Sequence, residues 1–359
     1  MDKKVDLLFL FLFLFLLSFG FLILLSASFY AGKKYFNDPF YYLKHQLLFG
    51  GLGGLFLGIF LYIIPTKALK KLSFFLFLFS LFLVSLTFIP GIASPVNKSY
   101  RWINIFGFSF QPVELLKLTF ILYLASWLEP KTRKKTAYFI PFLFLLAIIS
   151  LFLLAQPNFS ALTLLFGVSL SLFFLAKTPL YQTFLILGLA LISFLPLLKL
   201  APYRMKRILT FLNPQLDPYG ISYHVLQSKV AIGSGGIFGK GIGLSEEKLG
   251  LLPHPFSDSI FAVFAEEFGF LGSCFLLILF LVFFLRIYQI AQDQTDHFKK
   301  LVLFGIMIWF LLQTTIHIGA LCGLLPLTGI PLPFISYGGS HLMFEIAASF
   351  LVLKFSREK

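Results

Sequence analysis

Charge is what this chain has least of. Only 12% of its 359 residues are charged, against about a quarter in soluble domains. Hydrophobic residues make up 58%, with a mean hydropathy of +0.92. No soluble chain of this length hides that much apolar surface, so a bilayer must take it. Cysteine is scarce as well. Cys274 and Cys322 both fall in apolar runs without metal-ligand spacing, which argues against a disulfide framework. The six histidines form no pair at metal spacing, so a protein-held metal such as zinc is not expected. Internal repeats, heptads and low-complexity linkers are missing too. The glycine-rich stretch GSGGIFGKGIG (233–243) fails as a phosphate loop, because Ser234 and Gly241 stand where Gly and Ser/Thr are required.

The charge that is present is mostly basic, at a net +14. Its lysines and arginines sit in short clusters between apolar runs, the pattern of membrane orientation rather than of a nucleic-acid footprint. No nucleic-acid partner is expected. A span needs about 20 mostly apolar residues, which gives ten candidates: 7–29, 41–64, 72–90, 110–128, 138–155, 158–176, 180–199, 259–285, 301–325 and 341–355. The first is too long for a signal-peptide core and reads as an uncleaved helix. With a cytoplasmic N-terminus, the short inner segments hold sixteen Lys and Arg, and the outer ones hold five: Lys33, Lys34, Lys44, Lys98 and Arg101. Both termini are therefore expected in the cytoplasm. The expected fold is all-α, a single membrane domain over 1–359. Its long outer loop, about 200–258, lies between the seventh and eighth helices.

Several side chains stand out against this apolar background. Glu114 and Lys117 share one helix face in FQPVELLK, and charges inside a span face a cavity or each other. Arg204, Lys206 and Arg207 follow the seventh helix, where they either anchor lipid headgroups or clamp a phosphate. Lys240 can meet an anion. Asn158 in QPNF suits a helix N-cap. Asp258 follows the rigid lead-in LPHPF with no basic residue near it in sequence, and a capping role is its bland explanation. Glu266 and Glu267 are adjacent, point about 100° apart on a helix, and read as structural.

Five segments in order complete the pattern: RWINIFGFSFQPVELLK (101–117), QPNFSAL (156–162), FLNPQLDPYGISYHVLQSKVAIGSGGIFGKGIG (211–243), LLPHPFSDSIFAVFAEEFGFLG (251–272) and GLLPLTGIPLPFISYGGS (323–340). Together they resemble the shape, elongation, division and sporulation (SEDS) family, which includes FtsW and RodA. The resemblance runs from the first helix to the last. It implies ten helices and a glycosyltransferase that polymerises lipid II into β-linked peptidoglycan at the outer face of the bacterial cytoplasmic membrane. It also implies a class B penicillin-binding transpeptidase as partner, among other division or elongation membrane proteins.

The family's essential aspartate falls on Asp258, its carboxylate and lysine on Glu114 and Lys117, and its "RWI" arginine on Arg101. Asn158 departs from a family aspartate, and His254 stands four residues before Asp258 rather than two. LSASFYA and GIGLSEEK lean to the division branch, QSKVAIGSGG to the elongation branch, and the balance favours division. On this reading Asp258 is a general base. Arg101, Lys117, Arg204, Lys206, Arg207 and Lys240, with Glu114, form the substrate-binding set. No organic cofactor is expected, and a Mg²⁺ or Mn²⁺ would travel on the substrate pyrophosphate. The alternative is a flippase for lipid-linked sugars, for which charges deep in the bundle would serve as a polar path.

Overall fold

The computed structural model describes residues 4–89, 91, 93–96, 99–105, 108–129, 138–199 and 202–358. Lys3, Lys98, Lys131, Arg133, Lys134, Lys135 and Lys359, which entered the orientation count, lie outside this set, and so does the side chain of the substrate-site candidate Arg204.

Helices account for most of the chain: α1 (Leu7–Phe36), α2 (Tyr41–Ile63), α3 (Thr66–Leu86), α4 (Pro112–Leu128), α5 (Phe139–Ala155), α6 (Phe159–Leu175), α7 (Leu180–Lys199), α8 (Pro202–Leu212), α9 (Ile221–Ser234), α10 (Ile260–Gln292), α11 (His297–Leu321) and α12 (Gly339–Arg357). Their starts follow local chemistry. Asp6 accepts from Phe9 N at 2.9 Å to open α1, Pro112 sits in the first turn of α4, and Asp296 accepts from Phe298 N at 2.8 Å to open α11. Asn158 caps α6 by accepting from Ala161 N at 3.3 Å, as its sequence position suggested.

Five described helices (α1, α2, α3, α10 and α11) are long and apolar enough to cross a membrane. The protein is a multi-pass membrane protein. α4, at 17 residues, and α12 are not among these five. They carry Glu114, Lys117, His341 and Glu345, all buried, and are surrounded by protein rather than lipid, where such groups are tolerated. α2 packs on α12 through a stripe of glycines, Gly50, Gly54 and Gly58. A Cβ on Gly58 would come within 2.6 Å of the Phe350 ring, and one on Gly54 within 2.9 Å of Ile346. Small residues four apart let two backbones approach where no hydrophobic effect drives them together.

Two expectations need correction. The fold is not wholly α, because residues 93–110 form a three-stranded antiparallel sheet, β1 (Ala93–Val96), β2 (Ser99–Ile105) and β3 (Phe108–Phe110), with Ala93 opposite Ile103 and Ile103 opposite Phe110. Aromatic and β-branched residues in RWINIFGFSF favour this pairing. Nor is the 200–258 segment a plain loop. It folds into α8, α9 and a short turn at Glu247–Leu249.

Candidate active site

Asp258 sits one residue before the cap of α10. Ser259 holds the cap position, and its hydroxyl is used elsewhere, donating to Pro253 O at 2.7 Å. His224 of α9 places Nε2 against the same hydroxyl. Backbone bonds hold the preceding turn: Ser257 N and Ser259 N both donate to His254 O, at 3.2 and 3.1 Å. Tyr337 N donates to Phe256 O at 2.9 Å, and the Ser336 hydroxyl to Ser257 O at 2.9 Å. The turn is thus pinned on both sides of the aspartate. Among the described residues, however, the Asp258 carboxylate itself makes no hydrogen bond or ion pair. The capping explanation fails here.

Asp258 is partly exposed. Burial pushes its carboxyl above the usual carboxylate range, while the positive charges of His254 and Arg207 pull the other way. Gly329 stands against it, so that a Cβ there would lie 3.3 Å from Oδ2. The residues on either side of that glycine, Thr328 and Ile330, line a cavity of about 280 Å³ whose other walls include Arg101 of β2, Ser160 and Thr163 of α6, and Arg207 of α8. Arg101 donates to Pro157 O, and Arg207 Nη1 to Leu327 O at 3.4 Å. Two guanidinium groups far apart in sequence therefore line one cavity, and the Arg207 charge reaches the aspartate. Fork-shaped donors of this kind match phosphate oxygens.

The other expected cations are differently placed. Lys206 pairs with Asp217 at 3.0 Å. Lys240 pairs with Glu266 at 2.8 Å and Glu246 at 3.4 Å, and both contacts raise its pKa, the Glu266 hydrogen bond most. Lys117 and Glu114 form an ion pair of 2.6 Å with both side chains buried. His341 Nδ1 lies 3.2 Å from the same carboxylate, and its Nε2 lies 2.8 Å from Glu345, which accepts from Phe334 N at 2.8 Å. Lys117 Nζ also rests 5.2 Å from the Trp309 ring. Ion pairing holds this network together, although His341 Nε2, Glu345 Oε1 and Trp309 Nε1 are buried without a hydrogen-bond partner among the described residues. Neither His341 nor Trp309 stood out in the sequence.

Glu266 and Glu267 pair in different directions, as adjacent helical residues must. Glu266 takes Lys240, the Ser245 hydroxyl at 2.5 Å and Glu246 N at 3.2 Å. Glu267 takes Lys248 at 2.5 Å and the Ser26 hydroxyl of α1 at 2.7 Å. Ser245 and Lys248 have the Ser-x-x-Lys spacing of penicillin-reactive enzymes, but these contacts hold both.

The glycine-rich stretch has a clear structural role. α10 is broken at Gly269 (φ 68°, ψ −165°), and the 235–241 segment fills the break. Phe270 N and Leu271 N donate to Gly236 O and Ile237 O, while Glu266 O and Glu267 O accept from Lys240 N and Gly241 N, all at 2.9–3.1 Å. Four backbone groups freed by the kink are satisfied.

No group of three or more His, Cys, Asp or Glu suited to a metal ion occurs among the described residues. Asp258 alone does not make a cage, and a divalent ion at this site would depend on oxygens of its substrate.

Comparison with known proteins agrees with this architecture. The chain is 38% identical to stage V sporulation protein E of Bacillus subtilis (strain 168), over 98% of this chain and 97% of that one. It is 37% identical to a probable peptidoglycan glycosyltransferase FtsW of Coxiella burnetii, over 94% and 92%. Among solved structures it is similar to a chain of a peptidoglycan synthase complex that coordinates polymerization and crosslinking (TM-score 0.80, 27% identity, 99% and 98% covered). It is also similar to the rod shape determining protein RodA of Thermus thermophilus (TM-score 0.72, 26% identity, 99% and 97% covered). A model of the FtsW/RodA/SpoVE cell cycle proteins matches residues 6–359. The chain belongs to the FtsW/RodA/SpoVE family.

Proposed function

We propose that this protein is a peptidoglycan glycosyltransferase that uses Asp258 as general base and the Arg101–Arg207 cavity as the seat of a lipid pyrophosphate. The observation that carries this reading is a carboxylate without hydrogen-bond or ion-pair partners among the described residues, set against Gly329, whose chain neighbours line a cavity that two guanidinium groups also line. A sugar hydroxyl is a weak nucleophile, whereas a lipid pyrophosphate is a good leaving group. The step that needs help is removal of the hydroxyl proton. Asp258 takes that proton as the acceptor oxygen bonds to the anomeric carbon of the donor. The carbon–oxygen bond to pyrophosphate breaks, and the two arginines stabilise the departing charge. One displacement inverts the anomeric carbon, turning an α-linked lipid II donor into β-linked glycan. A Mg²⁺ or Mn²⁺ carried by the pyrophosphate would add positive charge at that cavity.

Of the candidate substrate residues, two support this reading best. Arg101 and Arg207 line the cavity, and Arg204 shares α8 with Arg207. Lys206 and Lys240 would have to leave a carboxylate to join them. Glu114 and Lys117 fit a structural pair. Ten spans with both termini cytoplasmic place Asp258, the sheet, α8 and α9 on the outer side of the cytoplasmic membrane. The similarity to a peptidoglycan synthase complex supports a class B transpeptidase as partner, and the sequence balance favours the division branch.

The test is incubation of purified protein, with and without that partner, with labelled lipid II. Polymer from the wild type and none from Asp258→Asn supports the reading. The flippase alternative draws on the buried Glu114–Lys117–His341–Glu345 network. Transbilayer movement of lipid II in vesicles, with no polymer under any condition, would establish it instead.

A further inference from the structure

The turn that carries Asp258 has a second face. Two residues before the carboxylate, the Phe256 ring lies 4.3 Å from that of Tyr42 and 5.7 Å from that of Tyr337, and Tyr42 and Tyr337 are 5.1 Å apart. The Tyr337 hydroxyl is 3.0 Å from His45 Nδ1. All four side chains are partly exposed. Aromatic residues commonly gather at a membrane edge, but this group is more than a belt. Its members Phe256 and Tyr337 are joined backbone to backbone, and the Ser336 hydroxyl holds Ser257 O, so the rings are fixed to the two residues that lead into the base.

The arginine cavity is lined by Thr328 and Ile330, the chain neighbours of the glycine that stands against Asp258. Displacement requires the nucleophile and the leaving group on different sides of the anomeric carbon. The acceptor must therefore approach Asp258 from a side other than that cavity, and the aromatic face supplies one. A pyranose ring shows a face of C–H groups that complements the electron-rich face of an aromatic ring. Its hydroxyls suit phenol and imidazole partners.

We propose that Tyr42, His45, Phe256 and Tyr337 form the acceptor subsite, stacking the terminal sugar of a β-linked amino-sugar chain so that its hydroxyl meets Asp258. This rests on the glycosyl-transfer reading and supplies what that reading lacks, a holder for the growing strand. The probe is a soluble β-1,4-linked N-acetylglucosamine tetramer, titrated against purified full-length protein. Wild type and Asp258→Asn should bind it alike. Tyr42→Leu should weaken binding roughly three- to tenfold, the scale of one lost aromatic contact, and shorten the polymer made from lipid II. Tyr42→Phe should restore both, and the melting temperature of both Tyr42 variants should match wild type. Wild-type binding and polymer length in Tyr42→Leu, or no tetramer binding by the wild type, would overturn the subsite. If the tetramer binds through Tyr42 but the wild type makes no polymer with its partner, the glycosyl-transfer reading falls and the acceptor assignment falls with it.

Discussion

Two stretches of the same connection treat their carboxylates in opposite ways. At one end of the segment 258–267, Asp258 is partly exposed and has no hydrogen-bond or ion-pair partner among the described residues. At the other, Glu266 and Glu267 are buried and each is held by a lysine and a serine hydroxyl. A buried carboxylate that is fully paired is fixed in charge and position, and serves architecture. One left with open lone pairs beside a cavity can take a proton. The difference separates a carboxylate open to a proton from a staple within one short stretch of chain.

The sharpest way to break this comparison is to remove each charge in turn. Asp258→Asn should cost polymerisation a factor of about 10² to 10⁴, with no loss of stability. Its pKa is raised by burial, so the charged form is disfavoured in the folded state. The stability contribution is present at low pH and is lost as pH rises through the raised value. Removing the charge should therefore leave the melting temperature at neutral pH unchanged or higher. Wild-type polymer yield from Asp258→Asn would sink the assigned role.

Glu267→Ala should do the reverse. It strands Lys248, whose side chain is only 4% exposed, and removing one member of a buried pair costs about 3–5 kcal/mol. The double change Lys248→Met/Glu267→Leu should recover much of that, as read from denaturation in detergent. The same cycle on Glu114 and Lys117 decides whether that pair is architecture or substrate path. Recovery of stability and polymerisation together in the double variant marks architecture.

The graft that supports Glu266 and Glu267 can be strained without touching any charge. Gly269 has φ 68°, and a Cβ there would lie 2.3 Å from Gly239 N. Gly269→Ala should cost about 1–3 kcal/mol, again measured by melting, with polymerisation by the surviving folded fraction retained.

A smaller effect sharpens the Asp258 side. The acid limb of the pH–rate profile should lie above the usual carboxylate range, because burial raises the pKa of Asp258. Arg207→Gln should move that limb further up, since the Arg207 charge opposes the rise. A limb that stays put in Arg207→Gln would separate the arginine from the base. The least effect is expected from Lys206→Ala, whose exposed pair with Asp217 is worth about 0–1 kcal/mol. Loss of polymerisation there would restore Lys206 to the substrate set.

Much of this protein is legible in its sequence because the bilayer imposes a coarse rule. Apolar runs of the right length must become helices, since lipid offers no partner to a free backbone group. Helices are found in all ten candidate segments. Asn158 as a cap and the opposed Glu266 and Glu267 follow from neighbours a few residues away. Spacing along the chain is real distance at that range.

What the tertiary structure alone decided involves residues far apart in sequence. Arg101 and Arg207 meet in one cavity, while Lys206 and Lys240 turn to Asp217 and Glu266. His341 joins the Glu114–Lys117 pair from the last helix, and the glycine-rich stretch closes a break in α10 rather than forming a mere loop. A lysine and an arginine look equivalent in a sequence. Which groups a given cation meets depends on what the fold brings within about 4 Å of it, where pairing takes hold.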